Sequence, residues 1–357
     1  MEISELLKIV VDEDASDLHL KVRKPPILRI HGSLHELDYP PLTPEDTEGF
    51  MKSITTSLHQ KRLRELGNTD FGFTFGELAR FRTAVFYERG TIGLSLRLIP
   101  YRLLTFEQLG LPNGIKELLY RPRGLVLVTG PTGSGKTTTI ATMIDFINIK
   151  MDCHIITIED PIEYFHENKK SIVTQRELGS DVTTFKEGLI RALRQDPDVI
   201  LVGEMRDLVT MEAALMAAET GHLVFATLHT TGAAQSVDRV IDAFPLAQQE
   251  QARVQMASNI VGVISQQLIP KTSGKGRVAA FEIMVAIPAI QALIRERKTY
   301  RITSFIQTGA RYGMMTMDDS LIKLYAQNII SYEETLTRCV DVESMKTKLQ
   351  EMSKNES

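Results

Sequence analysis

Cysteine is scarce in this sequence: Cys153 and Cys339 are the only two in 357 residues. Two thiols cannot hold a structural zinc on their own, and they offer no disulfide framework. The expectation is a pair of free cytosolic thiols. Long apolar runs are also missing. No stretch reaches the ~20 residues that a membrane-spanning helix needs, so any membrane role is expected to be peripheral. Neither sign of charge dominates: 41 Lys and Arg stand against 45 Asp and Glu, for a net charge of −4. That balance argues against a nucleic-acid-coating protein, and no nucleic-acid partner is expected. The acidic, amphipathic start Met1-Glu2-Ile3-Ser4-Glu5 is unlike a secretory signal. There is no internal repeat and no low-complexity tract.

What is present is a chain long enough for two domains, 43% apolar and 24% charged, the balance of a globular protein. Glu2 to Asp12 has helical spacing, with Ile3, Leu6, Leu7 and Val10 on one face. Leu18 to Val22 and Ile27 to Ile30 read as strands around Pro25-Pro26. Pro44 to Leu66 reads as two helices, with Thr43 as N-cap and Pro44 at the first helical position. Phe71 to Phe75, Ala79 to Glu88 and Thr91 to Ile99 alternate as an antiparallel sheet would, with a turn at Arg89-Gly90. Residues 1–100 are therefore expected to form a small α+β domain, 101–110 a hinge linker, and 111–357 a second domain with a helical C-terminal region. In the second domain, buried-type strands (Leu125 to Thr129, His154 to Ile158, Val199 to Val202, Leu223 to Thr227) alternate with helices, the pattern of a parallel sheet covered on both faces. Helices are expected over Leu246 to Gln267, Ala289 to Glu296 and Tyr332 to Met352.

The segment Gly130-Pro131-Thr132-Gly133-Ser134-Gly135-Lys136-Thr137 satisfies G-x-x-x-x-G-K-[ST] at every fixed position, after an apolar strand and before the helix that Thr138 opens. Such a loop turns backbone N–H groups toward phosphate at a helix N-terminus. Lys136 is expected to reach the β- and γ-phosphates of ATP, and the Thr137 hydroxyl to hold Mg²⁺ directly.

Hydrolysis needs a further carboxylate to orient water or take its proton. Glu204 follows the apolar strand Val199 to Val202 and Gly203, and ligands of doubly wound sheets sit at the carboxyl ends of strands. Glu204 is the expected base, although many P-loop enzymes place an Asp where Gly203 stands. Glu159 and Glu163, in Glu159-Asp160-Pro161-Ile162-Glu163, follow another such strand and suit the water shell of Mg²⁺. Away from a strand end, the same run would read as an acidic loop. His222 and His229 bracket the strand Leu223 to Leu228, too far apart to share a metal. His229, at the carboxyl end, is the expected γ-phosphate sensor; His222 suits a structural role equally well.

Together these segments resemble the type II/type IV secretion ATPase superfamily over nearly the whole chain. Its phosphate loop, acidic box, second nucleotide motif and histidine box are similar to Gly130 to Thr137, Ile158 to Glu163, Asp198 to Glu204 and Gly221 to His229, in that order and spacing. Within it, Ser16-Asp17-Leu18-His19-Leu20 and Gly313-Met314-Met315-Thr316-Met317 resemble the type IV pilus retraction ATPases (PilT-type). Assembly and type II secretion ATPases usually add an N-terminal domain and a four-cysteine zinc module, which is the reason for expecting the retraction branch. The retraction group's Ala-Ile-Arg-Asn-Leu-Ile-Arg-Glu segment reads here as Ala289-Ile290-Gln291-Ala292-Leu293-Ile294-Arg295-Glu296. The apolar frame of that segment also suits ordinary core packing.

The resemblance implies an α/β fold, a RecA-like P-loop core with a smaller PAS-like α+β domain before it. It also implies a homohexamer at the cytoplasmic face of the inner membrane, working on a pilus platform protein. Finally, it implies that N-terminal arginines, Arg82 and Arg97 by position, reach the nucleotide; arginines of an exposed sheet face are the alternative. Three other readings stay open on sequence grounds: an extension or secretion motor, a DNA translocase or helicase-like ring, and a nucleotide-bound regulator without turnover.

Overall fold

The computed structural model describes residues 2–30, 32–76, 78–99 and 103–355. They divide into two compact units, one of 1–103 together with 161–165, the other of 104–160 and 166–357.

The first unit contains α1 (Ile3–Asp12), β1 (Asp17–Leu20), β2 (Ile27–Ile30), β3 (Ser33–Glu36), α2 (Pro44–Ile54), α3 (Ser57–Leu66), β4 (Asn68–Phe75), β5 (Ala79–Glu88) and β6 (Thr91–Ile99). The strands form one antiparallel sheet in the order β3-β2-β1-β6-β5-β4. Period-two alternation drives Leu18, Leu20, Phe81, Val85, Leu94 and Leu96 into one core, where they meet the apolar faces of α1 and α2. Thr43 caps α2 as expected: its side chain accepts from Asp46 N at 3.2 Å, and Asp46 reciprocates at the Thr43 N–H at 2.8 Å.

The second unit opens with α4 (Phe106–Leu109) and α5 (Gly114–Leu119), then β7 (Gly124–Thr129), α6 (Lys136–Lys150), β8 (His154–Glu159), β9 (Ile172–Glu177), α7 (Phe185–Ala192), β10 (Val199–Val202), α8 (Leu208–Glu219) and β11 (Leu223–Leu228). It continues through α9 (Ala233–Asp242), α10 (Gln249–Asn259), β12 (Ile260–Pro270), β13 (Arg277–Val285), α11 (Pro288–Arg295), α12 (Ile302–Gln307), α13 (Met317–Ala326), α14 (Tyr332–Arg338) and α15 (Val342–Asn355). Its sheet runs β13-β12-β7-β11-β10-β8-β9, parallel throughout except for β13. Leu125 and Leu127 of β7 point into a core shared with α8 to α12, while Val126 and Val128 point into a core shared with α4 to α6. That two-sided burial is why the strands read as continuous apolar runs.

Two helical expectations need correction. Leu246 to Gln267 is not one helix: α10 ends at Asn259, and Ile260 begins β12. The Ile260–Ile264 stretch is rich in β-branched residues and buried on both faces, a case in which periodicity alone does not separate strand from helix. Tyr332 to Met352 breaks into α14 and α15, because Asp318 accepts the backbone N–H groups of Val340 and Asp341 at 2.8 and 3.3 Å. Of the expected hinge, Tyr101 and Arg102 lie outside the described residues. Phe106 is buried in the core of the second unit, and Leu104 O accepts the Thr142 hydroxyl at 2.9 Å.

Candidate active site

The phosphate loop joins β7 to α6 at the carboxyl end of a central strand. Gly135 precedes the helix at φ +86°, and no side chain caps α6. The first four N–H groups of a helix have no partner within it, so this terminus presents donors and partial positive charge together. A Cβ at Gly135 would lie 2.9 Å from Gln266 Nε2, inside the cradle. Lys136 Nζ is held over the loop, donating to Gly130 O at 2.8 Å and Pro131 O at 3.0 Å. The Ser134 hydroxyl is buried with no hydrogen-bond partner among the described residues, as expected of a group facing a ligand. These features fit a nucleotide's phosphates. Thr137 lies in the first turn of α6. Among the described residues no cluster of three or more acidic, His or Cys side chains makes a metal cage. A single hydroxyl donor suits Mg²⁺, which keeps most of its waters and binds phosphate oxygens.

Glu204 stands just beyond β10 and is fixed by its neighbours on both sides. Gly203 N donates to Ile158 O at 2.8 Å, the Thr227 hydroxyl donates to Gly203 O, and Met205 N donates to Thr227 O at 3.1 Å. Gly203 leaves little room for a side chain: a Cβ there would sit 3.1 Å from Ile158 O and 3.3 Å from Glu159 Cα.

The Glu204 carboxylate is shared. Arg206 Nη2 lies 2.8 Å from Oε2, and His229 Nε2 lies 3.0 Å from Oε1. The other imidazole nitrogen, Nδ1, lies 3.5 Å from the hydroxyl of Thr132 in the phosphate loop. Burial pushes the Glu204 carboxyl upward, but Arg206 and then His229 pull it down further, so it rests below the usual carboxylate range. It is ionised at neutral pH and able to orient a water.

Glu159 is buried at the end of β8, where Oε1 accepts the Thr157 hydroxyl at 2.6 Å and Gln175 Nε2 at 3.2 Å. Glu163, Arg82 and Arg97 belong to the first unit. Arg82 and Arg97 face each other across β5 and β6, and Arg97 pairs in register with Asp17 on β1. Arg97 Nε donates to the buried Asp17 Oδ1 at 2.8 Å, which leaves the guanidinium tip exposed. His222 lies at the amino end of β11, where its Nδ1 donates to Ala217 O at 2.9 Å; it terminates α8 and stands away from the phosphate loop.

Two features escaped the sequence. Arg206 lies two residues beyond Glu204, a spacing that puts both on one side of an extended segment, and that was its only signal. The other is a cavity of about 630 Å³ beside the loop, lined by Gly135, Thr138, Gln266, Leu268, Phe281 and Lys323 among others. Its walls come from segments more than a hundred residues apart.

Residues 2–353 match the family model described as Type II/IV secretion system protein. The chain belongs to this family. Among secretion-system relatives, it is similar to the type IV pilus retraction ATPase PilT of Pseudomonas aeruginosa, at 49% identity over 93% of this chain and 96% of that one. A twitching motility protein of Neisseria gonorrhoeae is 46% identical over 90% of this chain and 86% of its own, and the type IV pilus ATPase PilU of Pseudomonas aeruginosa 38% over 94% and 88%. A crystal structure of the pilus retraction motor PilT with bound ADP superposes with a TM-score of 0.91 at 48% identity, covering 97% of this chain and 99% of that one. The α/β architecture is thus that of this ATPase family, a RecA-like core with a smaller N-terminal domain, and the chain is a nucleotide-using ATPase.

Proposed function

We propose that this chain hydrolyses ATP to power retraction of a type IV pilus, as one subunit of a homohexamer. The observation that carries the reading is the Glu204 carboxylate held between Arg206 and His229, with His229 reaching Thr132 in the phosphate loop. Lys136 and the amino end of α6 bind the β- and γ-phosphates, and the neighbouring cavity is large enough for the nucleoside. The Thr137 hydroxyl would hold Mg²⁺, with Glu159 and Glu163 ordering its waters, and the ion would supply charge neutralisation on the phosphates. Glu204 orients the attacking water and accepts its proton. His229 senses the γ-phosphate through its position between the base and the loop. Arg82 and Arg97 neutralise charge developing on the transferred phosphoryl group, an assignment that rests on family resemblance. A platform protein at the cytoplasmic face of the inner membrane completes the reading. Among the described residues no helix is long and apolar enough to cross a membrane.

Higher identity to PilT than to PilU favours the main retraction motor, even with Gln291 and Ala292 on α11. Ile290, Leu293 and Ile294 of that helix are buried in the core. The test is a Lys136→Ala strain scored for pilus number and twitching. Abundant pili with no twitching are expected. Absent pili would mean an assembly motor, and unchanged behaviour of both would sink the motor reading.

A further inference from the structure

His229 is half exposed, so something other than its own packing must hold it between Glu204 and Thr132. The loop that follows it, 230–232, is tied down by a buried serine. Ser236, on the first turn of α9, is fully buried, and its hydroxyl donates to Gly232 O at 2.6 Å. The Thr230 hydroxyl lies 2.6 Å from Ser236 Oγ. A serine has one proton to give, and Gly232 takes it, so Thr230 must be the donor in the second contact. One side chain therefore grips the loop at both ends, next to His229 and next to α9.

The grip extends to the phosphate loop. Ser236 Oγ lies 3.4 Å from Thr129 Oγ1, which lies 2.8 Å from Ser265 Oγ, all of them buried. Thr129 directly precedes Gly130. Ser265 faces Glu282 across β12 and β13, and Glu282 Oε1 accepts the N–H of Ala233, the first residue of α9. A polar chain thus runs from the residue after His229 to the residue before the phosphate loop, and Glu282 anchors the start of α9 beside it. Back-bonding of a helical serine to the carbonyl four residues earlier is common. It accounts for the bond to Gly232, but not for the contacts with Thr230 and Thr129.

We propose that Ser236 is a positioning residue for His229: its hydroxyl sets the 230–232 loop so that the imidazole bridges Glu204 and Thr132. This rests on the assignment of His229 and Glu204 to the reaction. The 3.5 Å contact between His229 and Thr132 is at the limit of a hydrogen bond, so a small drift of the loop ends it.

The test is a double-mutant cycle on the purified full chain, reading steady-state ATP turnover. Ser236→Ala is expected to lower kcat about five- to tenfold, the effect of one lost buried hydrogen bond. KM for ATP and the affinity for a fluorescent ADP analogue should change less than about twofold, because phosphate binding is untouched. Adding Ser236→Ala to His229→Ala should slow turnover by no more than about 1.5-fold, since residues acting through one another are not additive. Ser236→Cys, which is slightly larger but only a weak donor, should behave as the alanine variant does; its melting temperature and that of Ser236→Ala check that both are folded. Wild-type turnover in both Ser236 variants would overturn the proposal. So would the same fractional loss with and without His229, the mark of a merely structural serine. If His229→Ala alone turns over normally, the sensor assignment fails and the proposal falls with it. If His229→Ala is slow and both Ser236 variants are not, only the proposal falls.

Discussion

His229 Nε2 lies 3.0 Å from Glu204 Oε1, while Nδ1 of the same ring lies 3.5 Å from the Thr132 hydroxyl. The imidazole therefore spans the groups assigned to water activation and to phosphate binding. Glu204→Gln keeps the shape of the side chain but removes its charge. Turnover should fall at least about 100-fold, in the range for a general base, while ADP-analogue binding persists. Normal turnover in this variant would rule out Glu204 as the base.

Arg206 sets the protonation of the Glu204 carboxyl. Against burial, which raises it, the guanidinium holds the Glu204 carboxyl below its ordinary range. The carboxylate thus stays ionised down to a lowered pKa, and Arg206→Ala lets that pKa rise. The acid limb of a kcat–pH profile should move to higher pH in the variant. An unmoved limb would mean that another group controls it.

Gly203 separates two backbones with nothing between them. In Gly203→Ala the new Cβ meets Ile158 O at 3.1 Å and Glu159 Cα at 3.3 Å, both backbone atoms that cannot rotate away. A loss of about 1–3 kcal/mol in stability, typical of overpacking, should accompany displacement of Glu204. Turnover should fall about tenfold, for the reason that small misplacements of catalytic groups are costly. Thermal unfolding and steady-state kinetics on one preparation check both.

Asp17 gives the first unit a pH dependence. Burial raises its carboxyl, but hydrogen bonds from Arg97 and Ser16 outweigh that and leave it below the usual Asp range. A depressed carboxyl stabilises the fold above its unfolded pKa, and that stability is lost as pH falls through the folded value. Asp17→Asn should therefore melt earlier than the parent at neutral pH, and the gap should close on acidification. A gap that stays constant with pH would show that the ion pair contributes nothing.

The phosphate loop was legible because its chemistry is local: strand, glycines, Lys136 and helix follow one another in the chain. Glu204 and His229 were legible for a similar reason, each standing just past an apolar strand whose carboxyl end had to face the ligand. Arg206, Ser236 and Gln266 were not, since their partners are set by strand order and no spacing encodes them. Residues 260–267 of β12 read as helix because burial on both faces erases the alternation that marks a strand. The break between α14 and α15 was missed because Asp318, which causes it, lies about twenty residues upstream.

The closeness of β8 and β10 also bears on where negative charge is stored in this fold. With Gly203 close against Ile158 and Glu159, a side chain at the position before Glu204 asks those two backbones to give by a few tenths of an ångström. The adjacent strand β8 ends in a further carboxylate, Glu159. The acidic pair that many P-loop enzymes keep on one strand is here divided between two neighbours.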